Sequence, residues 1–162
     1  GLPAGRLIEE QLRRIIRLHD WALLDLRINH FEPFRDVYGF VAGDDVLRFT
    51  TMLLSEVVDE LGTPSDFIGH TGGDNFIIIT KYEFVDAIRG RIKSRFAEEV
   101  QTHYNFMDRQ QGFIQVPKAE GGNVQVPFMT LAIGMVSPSQ QSFSDIREIT
   151  ELAAEARRLD AA

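Results

Sequence analysis

Apolar residues recur near a 3.6-residue period at the start of the chain. Leu7, Ile8, Leu12, Ile15 and Ile16 alternate with Arg6, Glu9, Glu10, Arg13 and Arg14, which predicts an amphipathic helix after a turn at Gly1-Leu2-Pro3. His19-Asp20 reads as a connector. Residues 21–29, WALLDLRIN, then change period. Ala22, Leu24, Leu26 and Ile28 fall on one face; Leu23, Asp25, Arg27 and Asn29 fall on the other. This predicts a strand, apolar on one side and mixed on the other, suited to a central place in a sheet. Phe31, Phe34, Val37, Tyr38 and Phe40 return to near-helical spacing, broken by Gly39, and their aromatics read as core. Gly43-Asp44-Asp45 is expected to open a long helix, with a carboxylate at its start and with Leu47, Thr50, Leu54, Val57, Val58 and Leu61 on its stripe. Gly62 and Pro64 end it.

Residues 66–80, DFIGHTGGDNFIIIT, read as strand, turn and strand, with the second strand buried on both faces. A third helix is expected over roughly 83–104, through Phe84, Val85, Ile88, Ile92, Phe96, Val100 and Tyr104. Residues 105–123 are irregular, with a short strand at Phe113–Val116 and a turn at Glu120–Asn123. Residues 124–136 read as one strand-like stretch, and a last helix covers about 145–159. The fold class is therefore α/β (α+β), with a βαββαβ ferredoxin-like core. A central, mostly antiparallel sheet is flanked by helices.

Composition narrows the function classes. The 162 residues are 44% apolar, enough for one domain with its own core. Against 17 basic residues stand 24 acidic ones, a net charge of −7, which argues against a nucleic-acid footprint. No cysteine is present, so disulfides and thiolate metal sites are excluded. No apolar run approaches the ~20 residues of a membrane span, and no leader peptide is visible. The expectation is a single domain over 1–162, excised from a longer chain and making no membrane contact.

Candidate chemistry concentrates at His70-Thr71-Gly72-Gly73-Asp74-Asn75-Phe76. A diglycine turn brings backbone N–H groups close to a phosphate, and a neighbouring carboxylate can hold Mg²⁺. The plainer reading is a hairpin in which Asp74 serves the turn. Arg27 is the discordant neighbour: its guanidinium stays protonated and cannot ligate a metal. An Asp74–Arg27 ion pair is the leading expectation, with phosphate binding by Arg27 as the alternative. Asp44 and Asp45 either cap a helix or meet a donor edge such as guanine. Arg157-Arg158 either complements the dipole of the last helix or contacts phosphate. His19, His30, His70 and His103 have no metal-ligand spacing.

These pieces together resemble the GGDEF domain, the diguanylate cyclase family of bacterial signalling. The resemblance covers nearly the whole chain. Gly1 to Arg6 is similar to the opening GLPNRR. Arg27-Ile28-Asn29-His30-Phe31 stands where the family has D-I-D-x-F, and Phe34 to Phe40 where it has I-N-D-x-x-G-H. Gly43-Asp44-Asp45-Val46-Leu47 resembles G-D-x-x-L, and Gly72-Gly73-Asp74-Asn75-Phe76 resembles the signature. Thr130 to Gly134 is similar to T-x-S-x-G, and Ala153 to Arg157 to the closing A-L-Y-x-A-K.

The resemblance implies a nucleotidyl-cyclase-like core and, for active members, paired domains that join two GTP into cyclic di-GMP with two metals. It places the first metal aspartate on Arg27 and the guanine-contacting asparagine on Arg35, while Asp44 keeps the other guanine contact. Asp74 keeps a signature carboxylate and is the remaining weak metal candidate; Asn75 replaces glutamate. Gly72, Gly73 and Arg157 are the phosphate candidates. Thr63-Pro64-Ser65-Asp66 stands at the R-x-x-D product site without its arginine. The implied function is a catalytically degenerate cytoplasmic signalling domain acting through protein contacts. Vestigial Asp74, Arg27 and Asn75 would occupy its catalytic positions. Its partners would be other signalling domains or proteins, or a second copy. No cofactor is expected, with Mg²⁺ implied only if GTP still binds. A GTP sensor or a weakly active cyclase is the alternative.

Overall fold

A computed structural model describes residues 5–161. The opening turn and most of the GLPNRR-like segment lie outside that range. Helix α1 (Arg6–Ile15) precedes β1 (Trp21–Asn29), and α2 (Phe31–Tyr38) and α3 (Phe40–Leu61) follow it. Strands β2 (Phe67–Gly72) and β3 (Asn75–Lys81) form the hairpin. Then come α4 (Val85–Glu99), α5 (Phe106–Gln111), β4 (Phe113–Pro117), β5 (Asn123–Pro127), β6 (Thr130–Val136) and α6 (Ile146–Asp160). The main sheet has the order β2-β3-β1-β6, and all its pairings are antiparallel. This is the expected helix-flanked α+β architecture.

The two faces of β1 explain its central position. Ala22, Leu24, Leu26 and Ile28 pack with Phe34, Leu53, Ile88 and Phe96 in the larger core under α2, α3 and α4. Leu23 turns the other way, with Ile77, Ile79, Ile8, Leu12 and Ile149, in a smaller core under α1 and α6. Both faces of the strand are thus covered, and Asp25 is buried among apolar neighbours. Helix α6 lies very close to β6. A Cβ at Gly134 would come 2.1 Å from the Arg157 amide nitrogen and 2.6 Å from the Ala153 carbonyl oxygen. Glycine there is a packing requirement.

Four sequence expectations need correction. The long helix begins at Phe40 rather than at Asp44 or Asp45. Gly39, at φ 95° and ψ 170°, ends α2 and starts α3, and its carbonyl accepts from Gly43 N at 3.1 Å. Asp44 and Asp45 therefore lie inside the helix, where Asp45 pairs with Arg48. The same break rotates Phe40 out of the core, leaving it 73% exposed. The third helix is shorter, with 3₁₀ turns at Tyr82–Phe84 and Val100–His103 around α4.

The 124–136 stretch is two strands, because Pro127 has no N–H to donate and the chain leaves the β4–β5 hairpin there. Tyr104 Oη then takes the Met129 amide at 2.8 Å as the chain enters β6. The irregular 105–123 segment contains α5, which Asn105 caps by accepting from the Asp108 amide. Among the described residues no helix is long and apolar enough to cross a membrane.

Candidate functional site

The diglycine hairpin sits at one end of the sheet. Gly72 has φ 138° and Gly73 φ 53°, values that a residue with a Cβ adopts only under strain. Space around both glycines is open. The turn is held by its own side chains. Thr71 Oγ1 donates to the Asn75 carbonyl at 3.0 Å. His70 Nε2 hydrogen-bonds the Gly73 carbonyl at 2.7 Å, and its ring stacks on Phe76 at 4.6 Å. The Asp74 carbonyl accepts from Ile28 N at 3.2 Å, which ties the turn to the end of β1.

Strand register places Arg27 opposite Asn75. The Arg27 guanidinium Nε lies 3.3 Å from Asp74 Oδ1, so the expected ion pair forms. Asn75 points inward instead, donating to Asp25 Oδ1 at 2.8 Å and to the Leu26 carbonyl at 2.6 Å. Arg157 Nε donates to the same Asp25 oxygen at 2.9 Å, with both side chains only 10% exposed. Burial raises the Asp25 carboxyl above its ordinary value, against the lowering effect of Asn75 and Arg157. Arg157 is therefore not an exposed dipole partner; it is the cation of a buried pair.

Arg35 stands on the opposite face of the sheet, on α2. Its stem lies against Gly43, where an added Cβ would come 3.2 Å from both Cγ and Cδ. Its guanidinium sits over the ring of Phe31 at 5.4 Å and that of Phe40 at 5.0 Å. Asp44, one residue beyond Gly43, is exposed. At the R-x-x-D position Asp66 is fully engaged locally. It accepts from Thr63 N at 3.0 Å, from Thr63 Oγ1 at 2.6 Å and from Thr80 Oγ1 at 2.7 Å.

These side chains do not fit a pair of divalent cations. Asp74 is the carboxylate at the hairpin opening, and its neighbour is a permanent cation. Among the described residues no group of three or more His, Asp or Glu side chains is placed to hold a metal ion. Sequence reasoning missed the Asp25–Arg157 pair. Its signal was an aspartate in mid-strand, on the same face as Leu23, in a strand expected at the centre of the sheet, a place that requires a buried partner.

A four-stranded antiparallel sheet flanked by helices, with a glycine-pair hairpin at its end, defines an α+β domain. The family model for "Diguanylate cyclase, GGDEF domain" matches residues 1–157, and the chain belongs to the GGDEF family. It is 31% identical over 94 residues, 55% of its length, to diguanylate cyclase DgcP of Pseudomonas aeruginosa. That match spans 13% of the relative. In fold it is similar to the active GGEEF domain of a diguanylate cyclase from Vibrio cholerae, with TM-score 0.69 and 21% identity over 98% of this chain and 90% of that one. It is also similar to diguanylate cyclase SiaD of P. aeruginosa, solved in complex with its activator SiaC. There the TM-score is 0.65, with 17% identity over 98% of this chain and 55% of that one.

Proposed function

We propose that this GGDEF domain is catalytically silent and acts in bacterial signal transduction through contacts with other signalling domains or proteins. The observation that carries this reading is the Arg27 guanidinium, 3.3 Å from Asp74 at the hairpin opening. In the family's pattern that strand position belongs to a metal-binding aspartate. A fixed positive charge there repels a divalent cation and engages the remaining carboxylate. Arg35 supports the same reading. It replaces an amide that both donates and accepts with a group that only donates, and stacks that group between two aromatic rings. The existence of a relative solved with its activator protein makes a protein-contact role reasonable for the fold.

The test is cyclic di-GMP formation from GTP with Mg²⁺ or Mn²⁺, in a preparation free to dimerise. No product above background is expected; turnover comparable with an ordinary family member overturns the reading. A second reading, a GTP sensor without turnover, draws on the open diglycine turn and the exposed Asp44. Calorimetry with GTP, GDP and cyclic di-GMP separates the two: saturable heat with GTP favours the sensor, and none at millimolar ligand favours the silent module.

A further inference from the structure

A cavity lies on the face of the sheet away from Arg35, between α1, α6 and strands β1, β2 and β3. Its volume is about 270 Å³. Ile8, Leu23, Ile77 and Ala154 supply apolar walls, and Asp25 and Arg157 supply the polar wall. Asp25 and Arg157 are 7% and 8% exposed. A buried guanidinium is expensive unless its five N–H donors find acceptors.

Among the described residues the Arg157 side chain makes one hydrogen bond, through Nε, and that bond goes to Asp25 Oδ1. Asn75 takes the same oxygen. This leaves the terminal nitrogens of Arg157 and Oδ2 of Asp25 without a protein partner. They are not sealed in: among the described residues the one fully enclosed side-chain polar atom lacking a partner is Arg89 Nε, elsewhere in the fold. A small cavity therefore presents unspent donors beside an unspent acceptor.

The charges of the pair cancel, so a charged ligand would bring an uncompensated charge into this space. A neutral group that accepts and donates along one edge satisfies both partners at once. Small, mostly apolar cavities with a few convergent polar groups are the usual form of ligand sites. We infer that this cavity binds a small, neutral, largely apolar molecule carrying an amide or lactam edge, whose carbonyl accepts from Arg157 and whose N–H donates to Asp25. Thr71 and Asn75 of the hairpin also line this cavity; its occupation by a neutral ligand does not require turnover of GTP on the Arg27–Asp74 side of the turn.

The experiment is an amide NMR titration of the 162-residue chain with three probes of similar shape. Benzamide accepts and donates, acetophenone only accepts, and benzoate is anionic. Benzamide is expected to saturate at roughly millimolar concentration, as fragments do, with shifts centred on Thr71, Asn75, Ala153 and Ala154. Acetophenone and benzoate are expected to bind at least about tenfold more weakly, the scale of one lost hydrogen bond or an unpaired charge. Ala154→Leu fills the cavity while leaving the ion pair in place, and should abolish the benzamide response with the folded spectrum retained. The inference is overturned if benzamide gives no saturable shift, or if the other two probes bind as well. It is equally overturned if a folded Ala154→Leu chain still binds benzamide. The comparison of probes on the unsubstituted chain stands even if that variant does not fold.

Discussion

Arg157, near the end of the last helix, reaches across to Asp25 in the middle of the central strand, with 2.9 Å between Nε and Oδ1. The contact joins residues 132 positions apart, beside Leu23 and Ala153 of the smaller core. Removing one partner strands the other in a place with little access to water. Asp25→Ala should lower unfolding free energy by about 3–5 kcal/mol in a urea titration, the usual cost of orphaning a buried charge. Replacing both partners, as in Asp25→Leu with Arg157→Met, should recover most of that loss. The raised Asp25 pKa means the folded state holds this proton more tightly than the unfolded chain does. Its contribution therefore falls as pH rises above the ordinary value of 3.8 and through the folded value. Asp25→Asn should flatten that slope.

The exposed pair at the hairpin behaves differently. Arg27 is about half exposed, so Arg27→Ala should change stability by under ~1 kcal/mol. Arg27→Asp restores a carboxylate at the family's metal position yet leaves Arg35 over the rings of Phe31 and Phe40. No cyclic di-GMP synthesis is expected from that single variant in a product assay. Robust turnover would show that base recognition is intact without the asparagine.

Gly134 sets how closely α6 approaches β6. Gly134→Ala forces a methyl group into the backbone of Ala153, Ala156 and Arg157. Backbone cannot rotate aside as a side chain can, so a loss of ~3 kcal/mol is expected in chemical denaturation. The same shift should weaken the Asp25–Arg157 contact, visible as a smaller additional cost of Asp25→Ala in the Gly134→Ala background.

His103 gives a separate acid response. Burial against the ring of Phe49, 5.0 Å away, pushes its pKa below 6.5, against the raising effect of Asp45. The unfolded chain then binds the proton more readily than the folded one. Stability should be fully present above pH 6.5 and decline as pH falls through that value towards the folded pKa. His103→Phe keeps the aromatic packing and should remove that part of the decline in melting temperatures measured from pH 7.5 to 5.5.

The element order was legible because the apolar period changes cleanly, from 3.6 over residues 7–16 to 2 over 21–29 and back. Gly62, Pro64 and the Gly72-Gly73 pair supplied the boundaries. Phe40 was misread because one glycine, Gly39, resets the helical phase, and phase cannot be carried across a break. The 124–136 stretch was read as one strand because its alternation continues through Pro127 although its pairing does not. At the site, Arg27 with Asp74 was legible from charge and adjacency. The stacking of Arg35 and the inward turn of Arg157 were not, since each depends on a partner brought in by tertiary packing.

Strand β6 forms one edge of the main sheet. At its middle, the Ile133 amide is taken by Asp160 Oδ2 at 2.7 Å, and its carbonyl accepts from Arg89 at 3.4 Å. Lys93 holds Asp160 from the side at 2.7 Å. A foreign strand trying to extend the sheet along this flank would meet occupied hydrogen-bonding groups and a cluster of charge. Extension of the main sheet along β6 is thus opposed at Ile133, which leaves a strand-adding partner the β2 edge or the separate β4–β5 hairpin.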